Sequence, residues 1–323
     1  MDANSKLSWR RTNAMFILAL AACLPGGHAD AQQDKGSVIL YDKDSQYYRI
    51  RVVDEAGGKR RSLYFSRYRG VQSRMLRANP DALDFEYARS MIAAFALHGK
   101  PKNVLLVGLG GASLPKFIQK HFHGTRLDIV EIDPDVVRVA QKYFFFKPAP
   151  ETRIYVMDGR MFLKWVVGKY DVILLDAFAG DRIPFHLTTK EFLQLVREHL
   201  VPNGVVAGNL WNPHDTRFRA AETATYLQVF PQTYLFKCGN SSNVVVFGAM
   251  SRTKVECSDW VGRATAVARG RALGFGLPKL IRNEYSCQTG VRVRESALTD
   301  EMAPVDTLLR EHPRHFEEAQ PAR

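Results

Sequence analysis

Four short segments of this chain hold residues that could do chemistry. Gly108-Leu109-Gly110-Gly111 follows an apolar run at 103–107. Glycines there let the backbone turn sharply and approach a ligand closely, although any βα loop also uses them. Glu131 ends a second apolar run, in Val130-Glu131-Ile132-Asp133, 23 positions after Gly108. At about that spacing an acid can accept both ribose hydroxyls of a bound nucleotide; the plainer role is a helix N-cap. The turn is not GxGxxG, because Ser113 stands at the third glycine position. A nucleoside without phosphates therefore fits better than a dinucleotide. Asp158-Gly159 follows a third run. Its Asp can accept the exocyclic amine of adenine while Gly159 leaves room for the ring. Asp158 can also cap the next helix, and both roles are compatible because a cap uses one oxygen. Asp176 ends a fourth run, ahead of Ala177-Phe-Ala-Gly-Asp181-Arg-Ile-Pro184. A carboxylate there can orient or deprotonate an incoming amine, which is nucleophilic only when neutral; the plainer role is a strand-end carboxylate satisfied by backbone N–H groups. Residues 177–184 read as a loop able to close over the site and exclude water.

These segments need a scaffold that gathers the ends of four strands. Strand-like runs at 103–107, 127–130, 153–157, 170–175 and 204–208 alternate with helical patterns at 113–121, 134–143, 160–167 and 189–200, and a helix at 215–229 follows. Such alternation predicts right-handed crossovers and a mainly parallel sheet covered on both faces. The fold class is α/β, with a small N-terminal β unit ahead of the sheet. Ligands of open α/β sheets bind at the carboxyl ends of the strands, and each of the four segments follows a strand. Runs at 233–237 and 243–247 predict a hairpin and one antiparallel edge strand. Upstream, 37–41, 47–53 and 61–65 alternate as strands, with Gly57-Gly58 between the last two. Asn79-Pro80-Asp81 marks a boundary, with Asp81 as N-cap of a helix at 82–97. The expected units are 36–80, the β unit; 81–250, the nucleoside-binding domain; and 251–323, polar helices and a tail.

The 323 residues, 46% apolar, are ample for a large core, and 24% charge is that of a globular chain. The net charge of +12 is spread out, with Lys59-Arg60-Arg61 as the tight run. A solvated basic surface accounts for it better than a nucleic-acid footprint. Residues 1–31 read as an export signal: Lys6, Arg10 and Arg11, an apolar stretch at 14–24, and Ala29-Asp30-Ala31 as a cleavage site. Leu20-Ala21-Ala22-Cys23 also resembles a lipobox, so the exported chain is either soluble in the periplasm or membrane-anchored through a lipid on Cys23. Cys238, Cys257 and Cys287 would allow one disulfide in an oxidising compartment. None has metal-ligand spacing, and no metal is expected.

Taken together, these residues resemble the polyamine aminopropyltransferase (spermidine and spermine synthase) family over about 40–250 and again at 298–306. The matching pieces are Tyr47, Gln72, Tyr87, the strand and turn ending at Gly111, Val130-Glu-Ile-Asp133, Asp158-Gly159, Asp176, and Pro184 ahead of Leu187-Thr188-Thr189. The resemblance implies a Rossmann-like sheet of the AdoMet-methyltransferase type, decarboxylated AdoMet as co-substrate, methylthioadenosine as product, a small amine or polyamine as acceptor, and a homodimer. It puts Glu131 on ribose, Asp158 on adenine and Asp176 as catalytic base. Gln72, Gly108, Gly110 and Gly159 fall around the nucleoside, with Tyr47, Tyr87, Asp181 and Pro184 on the acceptor and loop side. The departures cluster on the amine side. The family's GGGDGG turn has Gly111 for its Asp, its Tyr-Gln pair is Tyr47-Tyr48, its Tyr-His-Glu is Tyr87-Ala88-Arg89, and the second Asp of its loop is Ala179. Arg89 in place of Glu is expected to repel a diamine. Three functions fit: aminopropyl transfer to an amine, AdoMet-dependent methyl transfer on the same fold, or noncatalytic binding of a nucleoside or polyamine in the periplasm.

Overall fold

Four antiparallel strands, β1 (Val38–Asp44), β2 (Arg49–Asp54), β3 (Arg60–Phe65) and β4 (Val71–Leu76), pair in that order as a meander. The computed structural model describes residues 36–65, 70–178, 183–211, 216–239 and 241–301. The export-like segment with Cys23, and Asp181 in the loop, lie outside them. Gly57 and Gly58, both at positive φ, form the β2–β3 turn. The sequence pattern does not reveal β4. Its inward positions are Ser73 and Met75, so a polar residue interrupts the apolar period.

The single helix expected at 82–97 is two helices, α1 (Glu86–Met91) and α2 (Ala93–His98). They meet at Ile92, where Ile92 N–H donates to Arg89 O (3.2 Å) and Phe95 N–H to Ile92 O (3.0 Å), the tighter 3₁₀ spacing. Asp81 caps neither helix; it pairs with Lys120 at 3.0 Å.

The alternating part follows as β5 (Asn103–Val107), α3 (Ser113–His121), β6 (Arg126–Glu131), α4 (Pro134–Tyr143), β7 (Thr152–Val156), α5 (Gly159–Trp165), β8 (Tyr170–Leu175), α6 (Lys190–Glu198), β9 (Leu200–Trp211) and α7 (Thr216–Val229). β10 (Gln232–Lys237), β11 (Asn243–Ala249), α8 (Cys257–Ala268), α9 (Leu277–Glu284) and β12 (Tyr285–Cys287) complete the described elements. The eight-stranded sheet runs β12-β10-β11-β9-β8-β5-β6-β7. β9, β8, β5, β6 and β7 are parallel, while β11, β10 and β12 are antiparallel. The antiparallel edge is therefore three strands rather than one. β9 runs past its apolar stretch because β11 pairs with it from Val205 to Trp211. That extension carries the polar Asn209 into the sheet.

β5 buries Val104, Leu105, Leu106 and Val107, each contributing about 1.5–3 kcal/mol on burial. Their side chains feed two cores. One face packs with Phe117 of α3, Val136 of α4 and Trp260 of α8, the other with Phe162 of α5, Phe192 of α6 and Tyr226 of α7. The C-terminal region is more than polar helices. Trp260 is fully buried and its Nε1–H donates to Ala93 O at 3.0 Å, pinning α8 to α2. Cys238, Cys257 and Cys287 are free thiols, so the disulfide that the cysteine count allows is not formed. Among the described residues no helix is long and apolar enough to cross a membrane. From β5 the chain builds outward first through β6 and β7, then on the other side through β8 and β9. β5 thus marks the switch point where the crevice of such a sheet opens.

Candidate active site

The turn after β5 is held in a conformation few residues adopt. Gly108 has φ 98°, Gly110 φ 51° and Ala112 φ 55°. A Cβ on Gly108 would lie 2.3 Å from the backbone oxygen of Asp176, so the ends of β5 and β8 abut. Gly111 N–H donates to Ser73 Oγ at 2.9 Å, fastening the turn to β4. This explains the inward Ser73. A Cβ on Gly111 would sit 2.9 Å from Ser73 Cβ and 3.0 Å from Phe144. The space of the missing family Asp is therefore filled. Gly111→Asp should lower unfolding stability by about 2 kcal/mol or more, the cost of overpacking a buried site, without creating amine affinity; denaturant unfolding and calorimetry with a diamine check both halves.

Glu131 ends β6 and is 6% exposed. Its Oε2 accepts from Leu109 N–H at 2.9 Å and its Oε1 from Asp133 N–H at 3.0 Å. The helix cap is Asp133, which accepts from Asp135 N–H, so Glu131 is not an N-cap. Each carboxylate oxygen keeps a lone pair, enough for a pair of vicinal hydroxyls. Burial pushes the carboxyl up to about 7 against the backbone N–H groups that hold it down.

Asp158 caps α5 through Oδ1, which accepts from Met161 N–H at 2.9 Å. Its Oδ2 lies 2.7 Å from His186 Nε2. That hydrogen bond holds the Asp158 carboxyl below its ordinary range. One lone pair of Oδ2 remains for a nucleobase amine. A Cβ on Gly159 would meet Val107 Cγ1 at 2.5 Å, so close packing of α5 on β5 also demands glycine there. His186 lies in a short 3₁₀ turn, Phe185–Leu187. Arg160 braces that turn, donating to His186 O (3.2 Å) and to both oxygens of Asp300 (2.8 and 2.5 Å). Asp300, in the family-like tail, thus reaches the Asp158 end of the cleft.

Asp176 follows β8. Its Oδ1 accepts from Asn209 Nδ2 at 2.9 Å and its Oδ2 from the Tyr87 hydroxyl at a long 3.5 Å. Burial pushes its carboxyl up to about 7, opposed by these two donors. A carboxyl in that range is poised to take a proton near neutral pH.

These groups open on one cleft of about 300 Å³, within the size range of small-molecule sites. Gln72, Gly108, Gly110, Glu131, Asp158, Gly159 and Asp176 line it, as do Tyr47, Tyr87 and Pro184. The structure brings together every site residue expected from sequence except Asp181, which lies outside the described residues. Four further groups at the site were given no role from the sequence: Ser73, Tyr48, His186 and Asn209. Ser73 follows Gln72, Tyr48 follows Tyr47 and His186 lies two residues after Pro184, so only Asn209 stands apart from the quoted motifs. Tyr48 lines the cleft with its ring stacked on Phe65 at 4.3 Å. Arg89 does not face the cleft as expected; its guanidinium donates to Leu83 O (2.8 Å) and Asp84 O (3.3 Å).

Residues 85–236 match the model of the spermine/spermidine synthase domain. The polyamine aminopropyltransferase of Vibrio vulnificus is 35% identical over 210 residues, 64% of this chain and 70% of that one. Human methyltransferase-like protein 13, solved in complex with SAH, superposes with a TM-score of 0.53 at 29% identity, covering 57% of this chain and 91% of that one. Spermidine synthase from Thermotoga maritima has a TM-score of 0.63 at 20% identity over 77% and 84% of the two chains, a likeness of fold. With a sheet, a cleft and a matching relative all in agreement, the chain belongs to the polyamine aminopropyltransferase family.

Proposed function

We propose that this protein binds decarboxylated AdoMet and transfers its aminopropyl group to a small amine, with Asp176 as base. The observation that carries the reading is the half-buried Asp176 carboxyl, pushed up to about 7 by desolvation and opening on the same cleft as Glu131 and Asp158. Glu131 would take the ribose hydroxyls and Asp158 the adenine amine, leaving the sulfonium over the glycine turn. The acceptor's lone pair attacks the methylene carbon bonded to sulfur. The carbon–sulfur bond breaks, and its electron pair neutralises the sulfonium to give methylthioadenosine. The amine's surplus proton passes to Asp176 and then to water. Burial excludes solvent and strengthens these contacts.

A second reading is methyl transfer from AdoMet. Gly111, closed in by Ser73 and Phe144, offers no acid for a bare aminopropyl ammonium. The chain also resembles a methyltransferase-like protein solved with SAH. Calorimetric titration with decarboxylated AdoMet, AdoMet and methylthioadenosine separates the two. A clear preference for the decarboxylated form, with methylthioadenosine released when amines are added, supports aminopropyl transfer. Preference for AdoMet moves the assignment to methyl transfer, and binding without turnover of any amine reduces the protein to a nucleoside binder.

The pH dependence follows from the two raised carboxyls. Both act ionised, so activity is lost as pH falls through about 7. Bound ribose hydroxyls lower the Glu131 carboxyl, so kcat should fall with one proton, that of Asp176. kcat/KM reports the free enzyme and should fall more steeply, with two. A single-proton limb in both profiles would remove Glu131 from the binding role. On the pattern of residues 1–31 we also propose export to the periplasm, soluble or lipid-anchored at Cys23, and a homodimer by family likeness; fractionation, labelled-lipid incorporation and light scattering test these in turn.

A further inference from the structure

Asp176 is the end of a longer chain of side chains. Leu175 pairs with Gly208 in the β8–β9 register, so the next residues, Asp176 and Asn209, fall side by side. Asn209 pairs with Val245 of β11 and Asn243 with Trp211, which puts Asn243 diagonal to Asn209. Asn209 Nδ2 donates to Asp176 Oδ1, and Asn243 Nδ2 donates to Asn209 Oδ1, both at 2.9 Å. Ser241 Oγ donates to Asn243 Oδ1 at 2.5 Å and accepts from Asn243 N–H at 3.1 Å. Ser241 N–H is itself held on Cys238 O at 2.9 Å.

We infer that Asn209 and Asn243 form a directional amide relay that positions Asp176, committing Oδ1 to an N–H and leaving Oδ2 to receive the substrate proton. The inference rests on the reading of Asp176 as base. Its physical core is that an amide has two unlike ends. Turned over, Asn209 would set a carbonyl against a carboxylate in a buried site, where Asn209 is 3% exposed. Asn243 prevents this by donating to the Asn209 carbonyl, and Ser241 fixes Asn243 the same way. All the dipoles then point their positive ends at Asp176 and polarise one another. Among the described groups facing Asp176, the Tyr87 phenol of α1 is titratable, whereas Asn209 of β9 and Gly108 after β5 are uncharged. Neither amide stands near a recognisable motif, and together they tie the β10–β11 connection to the reaction centre.

The test is a carboxyl ¹³C NMR titration of the ligand-free full chain, the Asp176 signal being assigned by its loss in Asp176→Asn. Asn243→Asp puts an acceptor where a donor is needed and drives Asn209 to turn over. It should raise the Asp176 midpoint by about one unit or more, Asn243→Ala by about half a unit, and Ser241→Ala by less. Where turnover is measurable, the acid limb of kcat should move in the same order with nucleoside KM unchanged. Asn243→Asp and Asn243→Ala midpoints equal to wild type overturn the relay, even if their melting temperatures fall. If Asn243→Asp does not fold, the Asn243→Ala and Ser241→Ala pair decides. The titration needs no turnover, so an enzyme that fails to use any amine would sink the aminopropyl reading while leaving the relay separately decided.

Discussion

Asp176→Asn should slow group transfer by about 10²–10⁴-fold, the usual contribution of a positioned base, while nucleoside affinity stays nearly unchanged. The substitution keeps the shape of the side chain. An Asn at this position can still present its oxygen to Asn209 Nδ2, which now donates to Oδ1 at 2.9 Å, so the local fold is retained. What is lost is a group that takes a proton near neutral pH. The measurement is single-turnover formation of methylthioadenosine beside calorimetry with the same nucleoside. A rate within about threefold of wild type would remove Asp176 from proton transfer, because even a modest general base contributes more than that. Loss of binding along with rate would instead make it a structural carboxylate. Removing a carboxyl that burial pushes upward should also leave the empty protein no less stable at pH 8, where the buried charge is unfavourable.

Glu131→Gln should weaken nucleoside binding by about 10²–10³-fold, as expected when a charged acceptor is lost and a buried donor is left unpaired. Both oxygens of Glu131 already accept backbone N–H groups, from Leu109 and Asp133. Either orientation of a glutamine amide turns an NH₂ toward one of those donors. The substitution therefore damages the turn after β5 as well as the ribose contact. Calorimetry with methylthioadenosine reads the affinity, and the thermal upshift given by the nucleoside should disappear with it. Affinity within about threefold of wild type would mean the ribose lies elsewhere, since a charged hydrogen bond alone is worth more than that.

Much of this site was legible along the chain because its pieces are local. The motif around Gly108, Glu131, Asp158 and Asp176 each follows an apolar run, and β5, β6, β7 and β8 form where those runs predict them. Two period changes were hidden. β4 carries Ser73 inward, and the break at Ile92 leaves no mark in composition. Gly111 in place of the family's Asp was visible in the sequence, but not that Ser73 and Phe144 occupy the space a side chain would need. Arg89 read as a repelling charge, but its guanidinium is spent on the carbonyls of Leu83 and Asp84.

The α/β class, the order of the parallel elements and the strand-end residues Gly108, Glu131, Asp158 and Asp176 that line the cleft could all be read along the chain. Strand periodicity and the residues at strand ends are properties of neighbours in the chain, so they can be read one segment at a time. The rest depended on how distant segments meet in the fold. The pairing of β12 with β10, of His186 with Asp158, of Asn243 with Asn209 and of Asn209 with Asp176 joins residues 28 to 53 positions apart. Hydrogen bonds of that kind depend on strand register and amide direction, which no spacing rule encodes, and they decide which oxygen of Asp176 is bonded to Asn209.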